Sequence, residues 1–220
     1  MSEEISPKQF HAGAKDWRIV GDGATVFYPT DSFATSARLL QAISEIRDVE
    51  QHRPDVDVRG DGVTVRLLTR SDTYYGMSSR DVELATAISA VAKSLGLAAD
   101  PSAAQSLLVV PGATDTAKVM PFWKAALGYE TRPDSPEADL VDRHHRGPDF
   151  WFERMHEPRP DGFGAIHVAV WVPYEQAEAR VAAALAAGGH MVRDQFAPSW
   201  WTLADAAGNE ADIATVEGRD

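Results

Sequence analysis

The chain has 220 residues, with 33 acidic and 21 basic side chains, giving a formal net charge of −12 and a pI near 5.0. That acidic balance argues against nucleic acid or an anionic membrane surface as a partner. The absence of cysteine excludes disulfides, thiolate metal sites and cysteine nucleophiles.

At 44% hydrophobic and 25% charged residues the composition is globular, and the length suits one large domain or two small ones. No run approaches the roughly 20 apolar residues of a membrane-spanning helix. The opening MSEEISPKQF carries acids where an export signal would carry basic residues. A cytoplasmic protein with no membrane partner is expected.

In chain order, the first helical period places Phe33, Ala37, Leu40 and Ile43 on one stripe, with Asp31 or Ser32 as its N-cap. Val56 and Val58 then alternate with polar residues, as do Val63, Val65 and Leu67, around Gly60-Asp61-Gly62. This predicts a hairpin with one buried face. A second helix opens at Ser78, with Asp81 completing a capping box and Val82, Ala85, Ile88 and Val91 as its apolar stripe. Small residues with Gly and Pro from Gly96 to Ala104 mark a seam. Two domains are expected, over residues 1–97 and 105–220, joined by a linker over 98–104.

Past the seam the pattern repeats weakly. Strand Ser106–Val110 leads to helix Ala117–Leu127 and Gly128; strand Ile166–Val172 leads to helix Gln176–Ala187 and Gly188. Each glycine suits a left-handed helix end. Two strand–helix–strands copies imply duplication, with a site between the copies. No glycine-rich nucleotide fingerprint follows a strand, and no serine sits in a G-x-S-x-G context.

His52 lies at a helix end two residues before Pro54, and the hairpin returns the chain at Arg70. A helix end meeting a strand end at a sheet edge makes a cleft for a small molecule. The run His52-Arg53-Pro54, the stretch Val63 to Arg70 (VTVRLLTR) and the stretch Gly76 to Ala85 (GMSSRDVELA) together resemble the pterin-4a-carbinolamine dehydratases. That family reads His-His-Pro, then apolar alternation ending Thr-His, then Gly-Leu-Ser/Thr-x-x-Asp-x-x-Leu-Ala. The spacing from Pro54 to Arg70 matches without a gap, a two-residue insertion falls near Tyr74-Tyr75, and Trp17 and Phe33 sit at aromatic positions of the family.

The resemblance covers about residues 5–97. It implies an antiparallel sheet with helices on one face, a pterin-like ligand, and no cofactor for this domain. It also implies loss of water from a 4a-hydroxytetrahydropterin, which needs an acid for the departing hydroxyl and a base for a ring-nitrogen proton. His52 is retained, whereas Arg53 and Arg70 stand where the family has its other histidines. Guanidinium anchors charge but does not cycle as a base.

The expected set is therefore His52 with Asp48 and Glu50 as acid/base groups, and Arg53, Pro54 and Arg70 as substrate contacts around the same cavity. Dehydration on one histidine, a pocket retuned to an anionic ligand, and a scaffold without chemistry all remain open readings at this point.

The second half resembles the vicinal-oxygen-chelate, or glyoxalase/bleomycin-resistance, superfamily. The carriers are Phe122 to Tyr129 (FWKAALGY), Ala165 to Val170 (AIHVAV), and Asp205 to Asp212 (DAAGNEAD). The implied fold is two βαβββ modules forming a curved sheet around a cleft. The ligand positions implied for a divalent metal are Gln105, Glu153, His167 and Asp212, a set suited to Mg²⁺, Mn²⁺ or Fe²⁺.

Trp171 and Trp201, with Trp151, Phe152 and Trp200, are expected to form either an aromatic ligand wall or core. His144, His145 and His156 read as exposed residues, since neighbours on a strand face opposite ways. A metal-dependent lyase or dioxygenase and a non-catalytic small-ligand-binding protein stay as alternatives to the hydro-lyase. Both families commonly self-associate, so a homo-oligomer is expected.

Overall fold

The computed structural model describes residues 3–157, 166–204 and 210–219. The turn over Asp205–Asn209 and the residue Ala165, both invoked for the second resemblance, lie outside the described residues. The chain divides into two compact units, Met1–Gln105 and Ser106–Arg219, and each is taken by itself.

The first unit opens with α1 (Pro7–Gly13), capped by Ser6, and a strand pair β1 (Arg18–Val20) and β2 (Gly23–Pro29). Helix α2 (Phe33–Ser44) follows, with the Ser32 side chain accepting from the amide of Thr35. Then come β3 (Asp55–Arg59), β4 (Gly62–Leu67), a short hairpin of β5 (Thr69–Ser71) and β6 (Tyr74–Gly76), and α3 (Ser79–Ser94). The β5–β6 hairpin contains the Tyr74-Tyr75 insertion point. The main sheet is antiparallel in the order β1-β2-β4-β3, and helices cover it.

Alternation along β4 buries Val63, Val65 and Leu67 completely, while Thr64 and Arg66 are half-buried. Trp17, Tyr28, Phe10, Leu39 and Ile88 complete the core, and the indole N–H of Trp17 donates to Ser89 Oγ at 3.0 Å.

The helical stripes differ from the expected ones by a rotation. In α2 the inward residues are Ser36, Leu39 and Ile43, while Phe33 and Leu40 are exposed. In α3 they are Asp81, Leu84, Ala85, Ile88 and Ala92. Hydrophobic spacing alone cannot rank a threefold against a fourfold step, and both helices hide a polar residue on the buried face. Residues 98–104, expected as linker, hold a 3₁₀ turn over Pro101–Ala103, and the Asp100 amide donates to the Phe27 carbonyl of β2 at 2.8 Å.

The β3–β4 turn makes Gly62 a sensitive position. It sits opposite Arg59 in one partner strand and Pro29 in the other. A Cβ there would strike the Tyr28 carbonyl oxygen and come within 2.6 Å of the Phe27 ring. A sheet carbonyl cannot rotate aside, so Gly62→Ala is expected to destabilise by about 1–3 kcal/mol. Urea unfolding read by tryptophan emission checks this; an unchanged midpoint would mean that the strand ends shift freely.

The second unit contains β7 (Ser106–Ala113), α4 (Thr116–Leu127), β8 (Glu130–Thr131), β9 (Asp139–Val141), β10 (Asp149–Trp151) and β11 (Glu153–Arg154). The second copy is β12 (Ile166–Trp171), α5 (Tyr174–Ala186), β13 (His190–Arg193), β14 (Trp200–Ala204) and β15 (Glu210–Ala214). They form one mixed nine-stranded sheet in the order β13-β14-β15-β12-β7-β10-β9-β8, with β11 also paired to β7.

Each copy returns its last strands parallel to its first, and the copies meet where β12 runs antiparallel to β7. Gly128 and Gly188 end their helix regions at φ +67° and +102°, as a left-handed exit requires. Helix α5 packs Ala177 and Val181 on Leu203 and Ile213, and α4 packs Met120 on Leu140 and Phe150. The other sheet face is left to line a cavity. Among the described residues no helix is long and apolar enough to cross a membrane.

Candidate functional site

His52 closes the 3₁₀ turn Val49–Gln51 that follows α2. Its Nε2 lies 2.7 Å from Oδ1 of Asp81, whose side chain is fully buried at the start of α3. Oδ2 of Asp81 accepts from Thr69 Oγ1 at 2.7 Å, from the Ser78 amide at 2.7 Å and from Ser78 Oγ at 3.0 Å. A carboxylate only accepts, so Nε2 carries the hydrogen, and Nδ1 of the neutral ring keeps the lone pair.

Burial pushes the Asp81 carboxyl pKa up, but the hydrogen bonds from His52, Thr69 and Ser78 outweigh it and hold it below the ordinary value. The ring of His52 borders a polar depression of about 190 Å³. Arg47, Asp48, Gln51, Arg80 and Glu83 line it too, with Gln51 tied to both Asp48 (3.1 Å) and Arg80 (3.0 Å).

The second unit holds a larger cavity, about 380 Å³, on the open face of the nine-stranded sheet. Strand alternation supplies it with Leu108 and Val110 from β7, His167, Ala169 and Trp171 from β12, and Asp212 and Ala214 from β15. His167 Nε2 is 3.2 Å from Asp212 Oδ2, and Thr202 Oγ1 donates to Asp212 Oδ1 at 2.6 Å. Trp151, Trp200 and Phe196 form aromatic wall, and Glu153, Arg193 and Arg219 bring charge. The Arg219 guanidinium lies 4.5 Å from the centre of the Trp171 ring and 5.5 Å from that of Trp200.

The family profile described as "Pterin 4 alpha carbinolamine dehydratase" matches residues 1–91, and one described as "Glyoxalase-like domain" matches 108–214. A curated protein of Nocardia farcinica (strain IFM 10152), named "Putative pterin-4-alpha-carbinolamine dehydratase", is 32% identical over 78 residues, spanning 36% of this chain and 80% of that one. The chain belongs to the pterin-4a-carbinolamine dehydratase family. Its first domain carries that membership, and a glyoxalase-like domain follows it. A solved structure from Vibrio splendidus 12B01, a glyoxalase/bleomycin resistance protein/dioxygenase superfamily member, is similar at 15% identity over 51% of this chain and 99% of that one, with a TM-score of 0.33.

In the dehydratase domain, His52 and Asp48 share the depression, and the other expected contacts do not line it. Glu50 and Arg53 form an exposed ion pair at 2.6 Å, three residues apart, so both turn to solvent. Arg70 pairs with Asp55 at 2.6 Å and lies over Tyr75. The reason is strand geometry: Thr69 of β5 turns inward to Asp81, so its neighbour Arg70 turns the opposite way. Pro54 is half-buried and outside the lining. The expectation that Arg53 and Arg70 face one cavity with His52 is thereby corrected; the arginines beside His52 are Arg47 and Arg80.

In the glyoxalase-like domain, Glu153, His167, Asp212 and Trp171 border one cavity. Gln105 does not: it is exposed, and β7 opens only at Ser106. Trp201 is corrected as well. It packs beside Ile213 and Leu203 in the core, and its neighbour Trp200 takes the cavity face. Phe152 likewise belongs to the core and Trp151 to the cavity. His144 and His156 are exposed.

Among the described residues no three His, Asp or Glu side chains come together to hold a metal ion. The donor set therefore does not fit the expected divalent site: of the four expected ligands His167 and Asp212 lie together at 3.2 Å, and one oxygen of Asp212 already accepts from Thr202.

Two participants escaped the sequence reading. Asp81 was visible only as a helix cap, although a capping carboxylate inside the family's Ser-x-x-Asp pattern is a signal for a second role. Arg219 gave no sequence signal, because nothing in its spacing ties it to Trp171.

Proposed function

We propose that the first domain dehydrates a 4a-hydroxytetrahydropterin, with His52 as the acid/base group and Asp81 as its positioning residue. The observation that supports this most is the 2.7 Å contact between His52 Nε2 and the buried Asp81. Neutral His52 takes the ring N–H proton of the substrate at Nδ1, and the resulting imidazolium gives a proton to the departing hydroxyl. The carbon–oxygen bond breaks as the ring C=N bond forms, water leaves, and no proton is consumed overall.

Asp81 stays ionised and stabilises the imidazolium through the transfer. Asp48, in the same depression, offers a second carboxylate to relay the proton. At about 190 Å³ the depression covers the reacting edge rather than the whole ligand, so binding is expected to be weak. Arg53 and Arg70, each in an ion pair with its own carboxylate, serve the fold and not the substrate in this reading.

The test is the rate of carbinolamine dehydration with purified full-length protein. Asp48→Asn is expected to lower it by about tenfold, less than the roughly 10²–10⁴-fold of a group that itself exchanges the substrate's proton, and Glu50→Gln to leave it unchanged. A protein no faster than buffer would end the reading. Equal rates in wild type and Asp48→Asn would remove Asp48 from it.

The glyoxalase-like domain we read as a small-molecule-binding unit. Its aromatic cavity supports this, and its donor set gives no support to a metal-dependent lyase or dioxygenase.

A further inference from the structure

We infer that the segment after β15 is a strap over the cavity of the glyoxalase-like domain, with Arg219 as a latch that a flat, uncharged aromatic ring displaces on binding. The inference rests on reading this domain as a small-molecule-binding unit. It adds how the site opens and what class of ligand opens it.

The latch sits in a slot made by strand register. Trp171 ends β12 and Trp200 opens β14, and each is paired with Ala214 of β15, the strand between them. All three border the cavity. Residues directly across a ladder share a face, so two indoles rise from bases about 10 Å apart with only a methyl group between them. Phe196 stacks on Trp200 with centroids 4.3 Å apart, which steadies that indole. The Arg219 guanidinium occupies the slot, 4.5 Å from the Trp171 ring centre and 5.5 Å from that of Trp200.

The strap is anchored before the latch. Thr215 is buried, and its hydroxyl donates to the Pro198 carbonyl at 2.6 Å. Ser199 Oγ donates to the Glu217 carbonyl at 2.8 Å. Gly218 then turns the chain at φ +75°, where a Cβ would come within 2.9 Å of Ser199 Oγ. Past these anchors Arg219 is exposed, and its Nε donates to the Thr215 carbonyl at 3.1 Å. A guanidinium is planar and weakly hydrated, so it exchanges an indole face for water at little cost. An aliphatic side chain would cover the rings for good; this one leaves by rotating its own bonds while the anchors stay.

The ligand class follows from what is displaced. A group that replaces a stacked guanidinium is flat, and a cavity of about 380 Å³ has room for one compact ring system. It carries no net charge, because the lining already sets Arg193 and Arg219 against Glu153 and Asp212, and Arg193 also has Glu210 at 3.7 Å. A cation would in addition meet the arginine that it displaced.

Arg219→Gln in the full chain tests the latch through two readouts. One is quenching of tryptophan emission by acrylamide, which is uncharged and so blind to the lost charge; the other is calorimetric titration of 2-naphthamide. The variant is expected to show a steeper quenching slope without ligand. Its affinity for naphthamide is expected to rise about fivefold, which corresponds to the roughly 1 kcal/mol of an exposed cation–π contact. Arg219→Lys keeps a cation for the rings and is expected to restore most of the wild-type behaviour. A loosened fold would steepen quenching without tightening naphthamide, so the two readouts together separate it from an opened strap. Equal quenching slopes in Arg219→Gln and wild type overturn the strap, and so does naphthamide that binds the variant no tighter than wild type. If naphthamide binds neither protein at millimolar concentration, the small-molecule reading falls, and the quenching slopes at matched melting temperatures decide whether Arg219 covers the rings.

Discussion

Replacing His52 by alanine is expected to lower the dehydration rate constant by about 10²–10⁴-fold, the range that a positioned acid/base group contributes. The fold should survive. The His52 ring is at the rim of the unit, and after its removal Asp81 still accepts from Thr69 and twice from Ser78. The expected stability loss is that of one charge-assisted hydrogen bond at a partly wet site, about 1–2 kcal/mol.

His52→Gln sharpens the test, since a glutamine amide can donate toward Asp81 but has no group that titrates near neutrality. If both variants lose the rate while their melting curves stay close to wild type, the imidazole is the chemical group. A wild-type rate in His52→Gln would reduce His52 to a structural donor.

Much of the architecture is legible in the sequence because it rests on local rules. Alternation over Val63, Val65 and Leu67 specifies a strand with one buried face, and the observed β4 buries those three residues. The glycines at 128 and 188 mark helix exits, and both have the positive φ that such exits need. The site is less legible because its parts depend on parity and long-range partners. Placing Arg70 needs the knowledge that Thr69 is claimed by Asp81, twelve residues later. Choosing Trp200 over Trp201 needs the register in which Trp200 faces Ala214 and Trp201 faces Ile213. A shift of one residue reverses every such assignment.

The same dependence explains why buried polar residues rotate the helical stripes. Asp81 lies inward although no hydrophobic pattern would place it there. Its burial makes sense only through His52, Thr69 and Ser78, which come from three separate segments. One carboxylate thus caps α3, ties β5 to that helix and orients the candidate catalytic ring.

Asp81→Asn is accordingly expected to cost stability and activity together. The carboxylate meets four donors: the His52 ring N–H, the Thr69 hydroxyl, and the Ser78 amide and hydroxyl. An amide has one accepting oxygen, and its NH₂ must face donors, so at least one buried partner is lost at a cost of about 2–4 kcal/mol. His52 can relieve part of this by moving its hydrogen to Nδ1 and accepting from the asparagine at Nε2. That tautomer removes the lone pair from the nitrogen that serves the substrate, so the rate is expected to fall nearly as far as in His52→Ala with the imidazole still present.

Nitrogen chemical shifts of His52 read the tautomer directly, and a full dehydration rate in Asp81→Asn would confine Asp81 to the fold. Acid separates the two roles. Because the folded pKa of Asp81 lies below its ordinary 3.8, its contribution is complete above the unfolded value and is lost as pH falls through the folded one. The stability gap between wild type and Asp81→Asn, measured by urea unfolding, is therefore expected to be widest near neutrality and to narrow below about pH 4. A gap that stayed constant into acid would mean that packing around Asp81, and not its charge, holds this corner together.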